Sequence, residues 1–154
     1  AMASYDGVVR RFDFKVKNYR HVVLSDYAHH PAEIRQSVES LKEVFDGRKI
    51  TAIFQPHLYT RTRDFYKEFA ESLSLFDEVV LTEIYPAREK PIKGVDSRLI
   101  YDNLRPSVEK YLIEKDTVLD FVRTHPTDVL VILGAGDLDD YTQRIADIVK
   151  AEDC

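Results

Sequence analysis

The stretch 21–34, HVVLSDYAHHPAEI, runs from a continuous apolar segment through an acid, a phenol and two adjacent histidines into a proline. HVVLSD (21–26) lacks the alternation of a half-wet strand, so it reads as a strand covered on both faces. Pro31 suits the first position of a helix, where no backbone N–H is needed. Ile34, Val38, Leu41 and Phe45 then give that helix one apolar stripe, and Gly47 stops it. A connecting turn needs none of Asp26, Tyr27, His29 and His30. That turn is the first candidate for function.

Working outward, FDFKVK (12–17) alternates apolar and polar residues and reads as an edge strand antiparallel to its successor. Downstream a strand–helix alternation sets in. KITAIFQ (49–55), DEVVLTEI (77–84) and DVLVILG (128–134) read as buried strands, with EKYLIE (109–114) a modest one. Helices are expected over 60–75, with Phe65, Phe69 and Leu73 inward, and over 95–104. Asp116 is expected to cap a helix through Val122, with Val118, Leu119 and Val122 inward. A last helix would bury Leu138, Tyr141, Ile145 and Ile148. Repeated units of this kind predict an α/β fold: a three-layer, Rossmann-like domain whose mostly parallel sheet has about six strands and one antiparallel edge strand.

The composition fits one such domain. The chain has 154 residues, 44% hydrophobic and 32% charged, with net charge −5. That balance offers no bulk basic field for nucleic acid or an acidic membrane surface, so any anion site must be a local cluster of arginines. The apolar runs are far too short to span a bilayer. Cys154 is the single cysteine, so no intrachain disulfide forms, and a cytoplasmic setting is expected. AMAS at the start reads as an expression remnant.

In an open parallel sheet, ligands bind beyond the carboxyl ends of the strands. Four unusual loops share that edge here: DYAHH (26–30), PHLYTRTRD (56–64), YPAREKPIKGVDS (85–97) and GAGDLDD (134–140). The opposite edge receives FDGRK and RTHPTD, which read as plain. An acid past a strand end is placed to accept ribose hydroxyls, though Asp26 could equally cap the strand, with His30 capping the helix. Arg61 and Arg63 fall in a helix's first turn, where cations oppose the dipole unless an anion sits there. The alternative is surface pairing with Asp64 or Glu68. GAGD lacks the third glycine of a dinucleotide fingerprint and reads as a tight turn capped by Asp137 or Asp139. No metal-ligand spacing supports the histidines, and no G-x-x-x-x-G-K-[ST] phosphate loop is present.

Together GVVRRFDF (7–14), DYAHHPAEI (26–34), FQPHLYTRTRD (54–64), YPAREKPIKGVDS and LGAGD (133–137) resemble the C-terminal domain of the Mur ligases. These are ATP-dependent amino-acid ligases of bacterial peptidoglycan synthesis, and the closest match is to their alanine-adding branch. A recycling branch that joins a tripeptide to the same sugar nucleotide lacks the HxYTRTRD segment and is the alternative, as is a stand-alone nucleotide-binding module. The resemblance implies that residues 1–12 are a junction from a central domain and 13–154 the amino-acid-binding domain. The substrates would be L-alanine, UDP-N-acetylmuramate and ATP with Mg2+, the last two held mainly by the central domain. This chain would be inactive alone.

By the same resemblance, Arg11 and Asp26 would contact the nucleotide. Tyr27 and His29 would line the place where amino acid meets sugar nucleotide. His57 and Arg61 would face the amino acid, Arg61 as carboxylate clamp, with His29, His57 and Arg61 the catalytic set. Arg63 and His30 would stand behind them. Leu58 replaces the arginine usual in HRYTR, which throws more weight onto Arg61.

Overall fold

The computed structural model describes residues 12–17, 21–125, 127–134 and 137–152. Six strands form one sheet: β1 (Phe12–Lys17), β2 (Val22–Asp26), β3 (Ile50–Phe54), β4 (Glu78–Leu81), β5 (Glu109–Leu112) and β6 (Val129–Leu133). Their order across the sheet is β1-β2-β6-β3-β4-β5. The β1–β2 pair is antiparallel and every other pair is parallel. The expected mixed sheet with one antiparallel edge strand is therefore present.

The apolar runs become strands because each is buried on both faces, and alternate residues divide between two cores. Val22, Leu24, Ile50, Ala52, Phe54, Val79, Leu81, Val129, Val131 and Leu133 face one core. Helices α1 (Pro31–Val44), α2 (Tyr59–Leu73) and α3 (Arg98–Asn103) cover it with Ile34, Val38, Leu41, Phe69, Leu73 and Ile100. Val23, Ile53, Val80, Leu130 and Ile132 face the other core, covered by α4 (Val118–Thr124) and α5 (Thr142–Glu152). At about 1.5–3 kcal/mol for each fully buried large aliphatic or aromatic side chain, these two layers dominate the stability.

The chain moves outward from β2 to β5 with its helices on one face, then returns to insert β6 between β2 and β3 with helices on the other. The loops after β2 and β3 thus leave toward one layer and the loop after β6 toward the other. This is the switch point at which open α/β sheets place their ligands. Gly134 begins the loop after β6 at φ +129°, and a Cβ there would stand 2.9 Å from the Gln55 carbonyl oxygen. Only glycine lets these two strand ends close so tightly.

Four expectations need correction. Phe65 is 37% exposed rather than inward, its ring resting 5.4 Å from that of His30. Helix α2 starts at Tyr59 and ends at Leu73. Asp116 caps no helix: it lies inside a 3-10 turn, Lys115–Thr117, whose first N–H donates to Glu83 Oε1 at 2.7 Å. The amino edge of the sheet is not plain, because Glu78, fully buried, accepts from His125, Thr51 and Lys49 there. Ala135 and Gly136 of the GAGD turn, and the Asp137 and Asp139 side chains, lie outside the described residues. No described helix is long and apolar enough to cross a membrane.

Candidate functional site

The turn after β2 is built around Asp26. The carboxylate is 2% exposed; Oδ1 accepts the Ala28 N–H at 3.0 Å and Oδ2 accepts the Ser37 hydroxyl from α1. This fastens the turn to the helix behind it, and leaves Tyr27 67% exposed at the rim. His29 Nδ1 lies 3.0 Å from the Tyr27 carbonyl oxygen and 3.6 Å from Glu33 Oε1. A carbonyl only accepts, so Nδ1 carries a hydrogen, and in the neutral form of the ring Nε2 keeps a lone pair. His30 supplies no side-chain cap to α1; its backbone oxygen accepts the Ile34 N–H while its ring packs on Phe65.

The turn after β3 brings the next residues to the same rim. Leu58 adopts φ +74°, a conformation that costs a non-glycine residue about 1–3 kcal/mol. What holds it is visible. Its N–H donates to the Tyr85 carbonyl at 2.9 Å, and its own carbonyl accepts from the Thr62 N–H and hydroxyl at 3.2 and 3.0 Å. His57 and Tyr85 form a single parallel bridge, and their rings stack with centroids 5.5 Å apart. The His57 ring also meets that of His29 edge-on at 6.5 Å.

Arg61, half-buried in the first turn of α2, points Nη1 at His57 Nδ1 across 3.4 Å. A guanidinium only donates, so Nδ1 accepts and the ring hydrogen sits on Nε2. Burial holds the His57 pKa below its ordinary value, and the cationic Arg61 and neighbouring His29 push it the same way against a weaker pull from Glu89. His57 is therefore predominantly neutral at pH 7.

The structure thus brings Tyr27, His29, His57 and Arg61 to one rim at the carboxyl edge. Asp26 lies just inside it. Arg63 is exposed and pairs with Asp64 at 3.0 Å, the surface pairing that was its alternative. Arg11 lies outside the described residues. Two residues of the 85–97 loop, to which the sequence assigns no individual role, join them: Tyr85, which stacks on His57, and Glu89, whose carboxylate takes the N–H groups at the start of α2. Among the described residues, the one group of three carboxylate and imidazole ligand atoms lying within 4.8 Å of one another is Glu78, Glu109 and His125. It is at the opposite edge, with the Lys49 ammonium 3.5 Å from Glu78 and 3.3 Å from Glu109. The rim itself is a small cationic and aromatic surface, suited to a carboxylate and to proton exchange with a neighbouring polar group.

Residues 10–147 match the family described as Mur ligase, glutamate ligase domain. UDP-N-acetylmuramate–L-alanine ligase of Phocaeicola vulgatus is 59% identical over 149 residues, 97% of this chain and 32% of that protein. The enzyme of the same name from Parabacteroides distasonis is 52% identical over 96% of this chain and 32% of its own length. The crystal structure of UDP-N-acetylmuramate–alanine ligase from Thermotoga maritima superposes with a TM-score of 0.70 at 31% identity, covering 93% of this chain and 30% of that one. The chain spans about a third of the length of these relatives.

Proposed function

The chain belongs to the Mur ligase family, and we propose that it is the amino-acid-binding domain of an ATP-dependent ligase of cytoplasmic peptidoglycan synthesis. The ligase joins L-alanine to UDP-N-acetylmuramate through an acyl phosphate. The observation that supports this most is the convergence of His29, His57 and Arg61 on one rim, in a chain 59% identical to a ligase of that name.

The division of labour follows from the side chains. Arg61 takes the carboxylate of alanine through its fork of N–H donors, orienting the amine. His29, with a lone pair on Nε2, accepts a proton from that amine as it attacks. His57, neutral and protonated on Nε2, donates to the oxygen on which negative charge develops. Tyr27 and Tyr85 flank the two imidazoles. Arg63, exposed, spends its charge on Asp64.

ATP and Mg2+ supply the phosphoryl chemistry and would be held by a central domain upstream of this one. The residues present do not make their cradle: the sequence has no phosphate loop, and Asp26 is nearly sealed. Nucleotide contact at Asp26 requires the turn around its buried carboxylate to open, and an Arg11 contact would fall at the domain junction. The remaining partners are the N-terminal and central domains of the same chain, with no nucleic acid and no membrane involved.

The test is to assay this chain and the full-length protein side by side for ATP-dependent joining of L-alanine to UDP-N-acetylmuramate. Ligation by the full-length protein alone is expected. A full-length protein that accepts a tripeptide and refuses alanine would assign the domain to the recycling branch instead.

A further inference from the structure

Glu89 lies in the loop after β4, yet its carboxylate binds the start of a helix about thirty residues earlier. Oε1 accepts the N–H of Tyr59 at 2.6 Å and of Thr60 at 3.1 Å, and Oε2 accepts the Thr60 hydroxyl. Helix α2 has no side-chain cap from its own N-cap residue, Leu58. The N–H groups of its first turn would attract any anion, and an internal one already fills the place.

The position of that cap matters because of what lies on either side. Leu58 immediately before it is strained at φ +74°, and Ala87, two residues before Glu89, at φ +54°. Between these points, Tyr85 exchanges backbone hydrogen bonds with Pro56 and Leu58, at 2.8 and 2.9 Å. Two strained turns are thus clasped at two places, and strain of this kind persists only where the surroundings over-determine it. The residues that emerge from the clasp are His57 before it and Arg61 after it.

We infer that Glu89 is a positioning residue: by capping α2 from the β4 loop, it fixes the Leu58 turn and thereby holds Arg61 against His57. Its kinetic consequence rests on the ligase function proposed above; its geometric consequence does not. An ordinary surface cap contributes modestly to stability and has no bearing on a neighbouring side-chain pair. The two roles therefore separate.

The test is an NMR titration of His57 in this chain and in the variants Glu89→Ala, Glu89→Gln and Thr60→Val. Three charged or titratable neighbours act on His57: Arg61 and His29 lower its pKa, and Glu89 raises it more weakly. If Glu89 is only a nearby negative charge, both Glu89 variants lower the His57 pKa and Thr60→Val leaves it alone. If Glu89 positions Arg61, Glu89→Ala releases the guanidinium and the His57 pKa rises. Glu89→Gln, which keeps an acceptor for both N–H groups, leaves it at or below the starting value. Thr60→Val loosens the cap without removing a charge and moves His57 upward, so the inference stays decidable even if the alanine variant fails to fold. A downward shift in Glu89→Ala, or no shift in Thr60→Val, overturns it. In the full-length ligase, Glu89→Ala should raise the KM for L-alanine about tenfold with kcat within about twofold, and Glu89→Gln should restore it. Should the protein prove to use another substrate, this kinetic arm fails while the titration still decides the geometry.

Discussion

Arg61 Nη1 lies 3.4 Å from His57 Nδ1, one helical turn back along the chain and on the far side of a left-handed residue. The contact fixes which nitrogen of His57 holds the hydrogen, and it opposes protonation of the ring.

Arg61→Gln removes the cation and keeps a hydrogen-bonding side chain. The His57 pKa should rise in consequence, while remaining below its ordinary value because burial, the largest cause of the depression, persists. Titration of the imidazole carbon-bound protons by NMR reads this directly. An unchanged pKa would show that the guanidinium does not face the ring in solution.

Stability should fall on acidification in two successive windows. His57 binds its proton less readily in the folded chain, so the unfolded chain takes up more protons as pH drops from the ordinary histidine value through the lowered one. Glu89 follows at lower pH: its bonds from Thr60, first the hydroxyl, and from Tyr59 hold its pKa down. The stability it adds is present above the ordinary glutamate value and is lost as pH falls through the folded one. Urea midpoints measured across pH should show His57→Asn flattening the upper window and Glu89→Gln the lower.

Gly134→Ala should destabilise the fold. The new Cβ would meet the Gln55 carbonyl oxygen at 2.9 Å, in a backbone conformation that side chains rarely adopt. A loss of about 1–3 kcal/mol is expected, seen as a lower urea midpoint at unchanged slope.

Glu78→Gln should separate stability from activity. The carboxylate is fully buried at the amino edge, held by His125 at 2.8 and 2.9 Å, Thr51 at 3.0 Å and Lys49 at 3.5 Å. Removing its charge weakens these charge-assisted bonds and should cost about 1.5–3 kcal/mol. The KM for alanine in the full-length ligase should not move, because the rim is at the other end of the strands.

The fold was legible because its strands are continuous apolar runs and its helices carry single stripes. Phe65 was misplaced for a geometric reason. A repeat of four residues drifts about 40° per step on a helix of 3.6 residues per turn, so the first member of Phe65–Phe69–Leu73 rotates off the core. There it meets His30 at the rim. The residues that converge on the rim could be named from their place after strands, since chain order assigns each loop to the same edge. Glu89 could not. Its charge sits in a loop rich in charges, and nothing local ties it to Tyr59 and Thr60. The amino-edge network was hidden likewise: Lys49 and Thr51, Glu78 and His125 come from three segments, each unremarkable in isolation.

The most direct test is the KM for L-alanine of the full-length ligase carrying Arg61→Ala. If the guanidinium clamps the amino-acid carboxylate, losing a charge-assisted hydrogen bond of about 1.5–3 kcal/mol raises that KM roughly 10- to 100-fold. The KM for ATP should be unaffected. An alanine KM equal to that of the parent enzyme, in a variant that folds normally, would contradict the placement of the acceptor site on this rim.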